Sequence, residues 1–167
     1  MENRIWMAAL LVIAAFSGAC ATSGGSRDSG NASKRFTAHS IIYNRAPEPM
    51  VTTKVFRTDI QTLNRSNLRS YRFNNYITGK KDPDIVVTLA LSGARAGLAI
   101  YDGAGAPLME FPSGMALRDL VEFEMPTKEG KMKVRWLLTS EMILSVFEAF
   151  DNDGVLGYSE NTVYLLK

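Results

Sequence analysis

The chain has 167 residues, of which 46% are hydrophobic and 22% are charged, and these proportions exclude a wholly disordered protein. Its 19 lysines and arginines against 17 aspartates and glutamates leave a net charge of +2, which is too small to indicate a dedicated nucleic-acid-binding protein. One cysteine excludes an internal disulfide, and one histidine argues against zinc sites and catalytic triads built on histidine.

The first part of the chain has the layout of a secretion signal. Residues 5–16 are all apolar and uncharged, and Arg4 precedes them. A helix that crosses a membrane needs about 20 residues, whereas the apolar region of a secretory signal has about 7–15. Small residues follow, and Gly18 and Ala19 stand directly before Cys20, the only cysteine of the chain.

Residues 1–20 resemble the signal of bacterial lipoproteins, in which two small residues precede a cysteine that becomes lipidated. Gly18 and Ala19 match the small positions, and Cys20 matches the lipidated cysteine. The resemblance implies that residues 1–19 are a signal peptide, which signal peptidase II removes, and that a diacylglyceryl group is attached to the thiol of Cys20. Two or more acyl chains hold a protein at a membrane stably, whereas one chain binds only marginally.

The same resemblance implies a location. In lipoproteins of double-membrane bacteria, an aspartate after the lipidated cysteine retains the protein in the inner membrane, and here that position is Ala21. We therefore expect a lipid-anchored protein of the cell envelope, in the outer membrane. Two other interpretations stay open, namely an ordinary signal peptide cut near Ala19 or Ala21 and an uncleaved anchor.

Residues 20–35 are expected to form the lipidated cysteine and a tether. Positions 21–33 read ATSGGSRDSGNAS, which is too poor in apolar side chains to offset the entropy cost of ordering. A flexible coil of this length reaches roughly 20 Å. Residues 36–167 are expected to form a single β-rich globular domain, because about 130 residues suffice for a hydrophobic core.

Most of this domain has sequence typical of β-strands, with β-branched, aromatic or alternating apolar and polar residues. The predicted strands are 36–43, 50–57, 85–92, 97–101, 107–111, 120–125, 131–138 and 162–166. The glycine-containing segment 102–106 predicts a hairpin turn, and so does 127–130. In this second hairpin, acidic side chains on the first strand are expected to face basic ones on the next.

Two segments favour a helix. Residues 59–68 have a thin apolar stripe after Thr58, a residue suited to cap a helix N-terminus. Residues 140–150 have apolar side chains at helical spacing of three and four. The sequence therefore predicts a mainly β fold, an antiparallel β-sandwich-like domain with one packed helix, and an α+β fold as the alternative.

A cluster of acidic residues follows the second predicted helix. Asp151, Asp153 and Glu160 with Gly154 resemble part of an EF-hand calcium loop, whose oxygen ligands suit Ca²⁺. The match is incomplete, because Ala149 stands where the first ligand should be. These three carboxylates are candidates for a Ca²⁺ site, the only cofactor the sequence suggests, and a polar turn is the alternative.

A basic segment with interleaved aromatic residues runs from Lys54 to Lys81. Within it, Arg65, Arg69 and Arg72 are candidates for binding an anion. Behind a secretion signal, an anionic lipid headgroup, a phosphate-bearing glycan or an acidic protein is a better partner than nucleic acid. The alternative is a solvated face that the acidic C-terminal half balances.

Signals for catalysis are weak. Glu122 and Glu124 are expected to lie roughly 7 Å apart on one face of a strand, a separation that a glycoside hydrolase could use. In the predicted hairpin, however, Glu122 and Glu124 both lie opposite basic residues. This pairing accounts for the two carboxylates without a catalytic role. His39 has no second histidine nearby, and the chain contains no known hydrolase or phosphate-loop motif.

The sequence thus favours a non-enzymatic envelope lipoprotein, attached to the membrane through the lipid on Cys20. Its β-rich domain would bind an envelope protein, peptidoglycan or an anionic lipid headgroup. The first alternative is a domain that binds Ca²⁺ or a small ligand. The second is an envelope hydrolase, for which no catalytic residue can be named.

Overall fold

A computed structural model describes residues 32–65 and 67–166, and in this part of the chain all ten elements are β-strands. Among these residues there is no helix with the length and hydropathy that crossing a membrane requires. The strands are β1 (Ala32–Asn44), β2 (Met50–Arg65), β3 (Leu68–Tyr76), β4 (Ile85–Ser92), β5 (Arg95–Asp102), β6 (Pro107–Leu117), β7 (Leu120–Thr127), β8 (Gly130–Leu138), β9 (Met142–Asp151) and β10 (Leu156–Leu166).

The strands form one closed antiparallel barrel in which each strand pairs with its neighbours in the chain. The pairing of β1 with β10 closes it, from Phe36 opposite Leu166 to Asn44 opposite Tyr158. Closure gives every strand a neighbour on each side, although the pairing between neighbours does not always run their full length.

The interior of the barrel is packed with apolar side chains. Barrel diameter grows with strand number, so ten strands enclose a wide interior, and aromatic rings fill its centre. The ring centroid of Phe73 lies 4.7 Å from that of Trp136 and 5.3 Å from that of Tyr164. The core also contains Phe36, Ala38, Phe56, Ile60, Val87, Leu89, Leu91, Leu98, Phe111, Val121, Phe123, Met132, Val134, Leu138 and Ile143.

The wall is weakest between β6 and β7. These strands pair over three positions, from Met115 opposite Glu122 to Leu117 opposite Leu120. Just beyond them, the Phe123 ring lies directly against Gly114 and occupies the space that a Cβ at this position would need. A glycine at this position therefore lets an aromatic ring close the gap.

The predicted β-sandwich-like domain with one packed helix is wrong, and so is the α+β alternative. The described chain is all-β, and its strands form one closed barrel rather than two stacked sheets. The pairing that decides between the two architectures joins β1 and β10, which lie at opposite ends of the domain. Local alternation of apolar and polar residues is the same in both.

Both predicted helical segments are strands. Residues 59–65 continue β2, with Ile60 in the core. Residues 142–151 form β9, in which Ile143 and Phe147 contribute to the core while Val146 and Phe150 lie half-buried on the outer wall. Apolar residues on both faces of a strand produce the same three-and-four spacing as one face of a helix.

Candidate functional site

The chain enters the barrel at the end that carries an open, arginine-lined pocket. β1 begins at Ala32, which is opposite Thr62 near the end of β2. The turns that join β2 to β3, β4 to β5 and β6 to β7 lie at this same end, because the strands alternate in direction. We call it the proximal end of the barrel.

Three arginines surround an open pocket of about 570 Å³ at the proximal end. They are Arg65, Arg69 and Arg118. The other lining residues are Asn64, Asn67, Leu68, Leu91, Gly93 and Ala116. We call this the arginine pocket, and its volume is in the range typical of small-molecule sites.

The pairing of the strands places each arginine at the rim of the pocket. Asn64 is opposite Arg69 and Arg65 is opposite Leu68, so the two arginines lie on either side of the β2–β3 turn. Arg118 lies in the β6–β7 turn with a φ of 55°, a left-handed conformation that few residues other than glycine adopt. The barrel brings the β6–β7 turn, and with it Arg118, beside Arg65 and Arg69.

An aromatic ring and a carboxylate lie close to the arginine pocket. The guanidinium of Arg69 lies over the Tyr71 ring, 5.6 Å from its centroid. Burial raises the pKa of the Tyr71 hydroxyl, Arg69 lowers it, and the nearby carboxylate of Asp119 raises it. Asp119 therefore offsets part of the positive charge at this end.

The chemistry of the pocket suits an anion with an apolar portion. Guanidinium groups donate several hydrogen bonds in a planar fork that matches phosphate and carboxylate oxygens. The amides of Asn64 and Asn67 can donate or accept. Leu91 and Ala116 are buried and give the pocket apolar lining beneath these polar groups.

The structure brings together two of the three predicted binding residues. Arg65 and Arg69 both line the arginine pocket. Arg72 is exposed on the outer wall of β3, where its Nε donates to Asn74 Oδ1 at 3.2 Å. Arg118 was missed, because only the closure of the barrel brings residue 118 next to residues 65 and 69.

The structure separates Glu160 from the other two candidate calcium ligands, Asp151 and Asp153, which share one turn. Asp151 Oδ1 accepts from the backbone N–H groups of Asp153 at 3.1 Å and Val155 at 2.8 Å. Glu160 points into the barrel instead. In residues 32–65 and 67–166, no three His, Cys, Asp or Glu side chains come close enough together to hold a metal ion. Calcium binding at this loop stays a prediction.

Glu160 belongs to a hydrogen-bond network inside the barrel that sequence patterns did not reveal. Ser40 Oγ donates to Glu160 Oε1 at 2.7 Å, and the Tyr158 hydroxyl donates to Oε2 at 3.0 Å. Thr162 Oγ1 donates to Ser40 Oγ at 3.0 Å. Both carboxylate oxygens have donors, and the network links β1 to β10 across the closing seam, so we interpret it as structural.

The acidic residues of β7 lie opposite basic residues of β8, as the predicted hairpin requires. Glu124 is opposite Lys133, with Oε2 and Nζ 3.1 Å apart. Hydrogen bonding to Lys133 lowers the pKa of the Glu124 carboxyl. Glu122 is opposite Arg135, and His39 is exposed on the outer wall. Cys20 lies outside the described residues.

Two comparisons with known proteins find no match for this chain. A scan against protein-family models matches none, and a search of curated proteins finds no significant similarity. The function must therefore be argued from the residues themselves.

Proposed function

We propose that this chain is a lipid-anchored protein of the bacterial envelope whose barrel is a non-enzymatic binding module. The arginine pocket is its binding site, and the ligand is the anionic headgroup of a membrane lipid. The observation that carries the proposal is the clustering of Arg65, Arg69 and Arg118 at the end where the chain enters the barrel.

The position of the pocket is compatible with an anchor at Cys20. Eleven residues lie between Cys20 and Ala32, and the twelve steps from one Cα to the other span at most ~40 Å when the chain is fully extended. Since Ala32 lies at the proximal end, a lipid on Cys20 would keep the arginine pocket within reach of the membrane surface. Arginines near an anionic surface are attracted to it over about a Debye length.

The lining favours a phosphate-bearing lipid over a free inorganic anion. Three guanidiniums supply the charge, while Leu68, Leu91 and Ala116 supply apolar contacts that a bare phosphate would not use. Arginine stays protonated and cannot act as a general base. The residues of the pocket are thus suited to holding a ligand, which supports binding over catalysis.

The anchor is tested by metabolic labelling with radioactive palmitate. We expect the wild-type chain to incorporate label and to fractionate with the outer membrane, because Cys20 would carry the acyl chains. Cys20→Ala should lose the label entirely. Equal label in both proteins, or an unlabelled wild-type chain, would contradict the anchoring.

The ligand is tested with the full chain in a non-ionic detergent. Short-chain phosphatidylglycerol is expected to raise the melting temperature and to bind in calorimetry, whereas phosphatidylcholine of the same acyl length should not. Arg69→Gln is expected to weaken binding by about tenfold, because a hydrogen bond to a charged group contributes about 1.5–3 kcal/mol. Added salt should weaken binding further.

Arg72→Gln is the matched control for this experiment. It removes the same charge from the same strand, but its side chain lies on the outer wall, away from the pocket. It should bind phosphatidylglycerol as the wild-type chain does. Equal losses in Arg69→Gln and Arg72→Gln would refute a role for the pocket, and equal binding of inorganic phosphate would refute a lipid ligand.

A further inference from the structure

One stretch of β2 has a neighbour on only one side. Residues 50–56 pair with β1, from Met50 opposite Asn44 to Phe56 opposite Ala38. Pairing with β3 begins only at Arg57, opposite Tyr76. The first seven residues of β2 therefore present unpaired backbone groups, and we call this stretch the β2 edge.

The adjacent loop does not pair with the β2 edge. Residues 77–84 join β3 to β4, and within this loop the Thr78 N–H and hydroxyl donate to the Asp84 carboxylate at 2.8 and 2.7 Å. The Asp84 N–H donates to the Asn75 carbonyl at 2.8 Å. These bonds fold the loop back onto its own two strands.

The β2 edge also lacks the protection found at the gap between β6 and β7. There, the partly unpaired strands carry Pro107, Pro112 and Pro126, which have no N–H to donate to an incoming strand. Residues 50–56 read MVTTKVF, contain no proline and are rich in β-branched residues. The prolines therefore oppose strand addition at the gap between β6 and β7, whereas the β2 edge is suited to it.

Large apolar side chains of the β2 edge are exposed to solvent. Val51 is 65% exposed, Val55 is 63% exposed and Met50 is 55% exposed. Ile41, opposite Thr53 on the outer wall of β1, is 53% exposed. Exposed apolar residues that cluster beside unpaired backbone mark an interaction surface.

We propose that the β2 edge pairs with the same edge of a second copy of this chain, in an antiparallel dimer with a two-fold axis at Thr53. The segment is self-complementary, because this register sets Val51 of each copy opposite Val55 of the other. The only charged residue, Lys54, then lies opposite Thr52, so like charges are not directly opposed. A net charge of +2 opposes such association little.

This dimer is independent of the proposed ligand. The β2 edge starts at the end of β2 away from the proximal end, and Arg65 and Arg69 lie at the other end of the strand. The arginine pocket of each copy therefore stays open in the dimer.

The dimer is tested by oxidative crosslinking of the full chain in envelope membranes. In antiparallel strands, directly opposite residues have Cα atoms about 4.5–5.5 Å apart, within the range that a disulfide can bridge. Thr53→Cys is expected to give a covalent dimer on a non-reducing gel. Gln61→Cys, exposed on the outer wall of the same strand where β3 covers the edge, should not.

A second variant separates the edge from any other interface. This variant adds Val51→Lys and Val55→Lys to Thr53→Cys, so that lysines of the two copies lie opposite each other in the proposed register. The dimer band should disappear, whereas the melting temperature should stay unchanged. Crosslinking of Thr53→Cys no greater than that of Gln61→Cys overturns the proposal. A dimer that survives the two lysines, or a crosslink to a different protein, overturns it as well.

Discussion

Replacing Phe73 by alanine is expected to lower the free energy of unfolding by about 3–5 kcal/mol, the usual cost of removing a buried aromatic ring. Phe73 is completely buried. Its ring packs between Trp136 and Tyr164, which belong to strands far from β3 in the chain. Because three strands meet through this ring, the remaining side chains cannot collapse into the space without moving the barrel wall.

Urea denaturation followed by tryptophan fluorescence measures this effect, since Trp136 reports directly on the cluster. Phe73→Leu should cost less, because it keeps most of the buried volume. Leu68→Ala on the same strand is the control, as its side chain is 40% exposed and lies outside the cluster. A loss in Phe73→Ala no larger than in Leu68→Ala would contradict this account of the core.

Sequence patterns predicted the strands well where alternation or apolar runs were clear. β4 was predicted with both of its boundaries, and the hairpin of β7 and β8 was predicted with its turn and its charge pairing. β3 was missed, because two of its buried residues are asparagines. Asn75 is tolerated in the interior because its Oδ1 accepts from Thr58 Oγ1 at 2.9 Å, and such a partner is not visible in local sequence.

The candidate site was predictable only where its residues are close in sequence. Arg65 and Arg69 flank one turn, so a basic segment with two nearby arginines was enough to identify them. Arg118 joins them because five successive strand pairings, from β2 to β7, place its turn alongside theirs. The acidic neighbours of Glu160 led to its grouping with a calcium-like loop, yet strand alternation in β10 turns it into the barrel, where Ser40 and Tyr158 donate hydrogen bonds to it.

The second large effect concerns alkaline pH, at which we expect the barrel to lose stability because of Tyr164. Its side chain is almost completely buried. Burial raises the pKa of the Tyr164 hydroxyl far above its ordinary value of 10.0, a hydrogen bond with Ser145 opposes this shift, and the charge of Glu160 adds to it. Burial and Glu160 also raise the pKa of Tyr158.

The sign of the effect follows from which state holds the proton. Above about pH 10 an unfolded chain loses the Tyr164 proton while the folded chain keeps it, so stability falls by about 1.4 kcal/mol for each further pH unit. Below pH 10 the neutral Tyr164 hydroxyl makes its full contribution to the free energy of unfolding. This contribution declines as the pH rises from 10 to the pKa of the folded state. Urea denaturation at successive alkaline pH values, with phenolate absorbance recorded in parallel, measures this slope.

Tyr164→Phe isolates the contribution of this hydroxyl from the lysines that titrate in the same range. The variant lacks one titrating group. Above pH 10, its free energy of unfolding should therefore fall less steeply than that of the wild-type chain, by ~1.4 kcal/mol per pH unit. At neutral pH the variant should be slightly less stable, since the Ser145 hydroxyl loses its partner. If the unfolding free energies of the two proteins fell with the same slope above pH 10, Tyr164 would titrate alike in the folded and unfolded chains. That result would contradict the effect of its burial and of the nearby Glu160 charge.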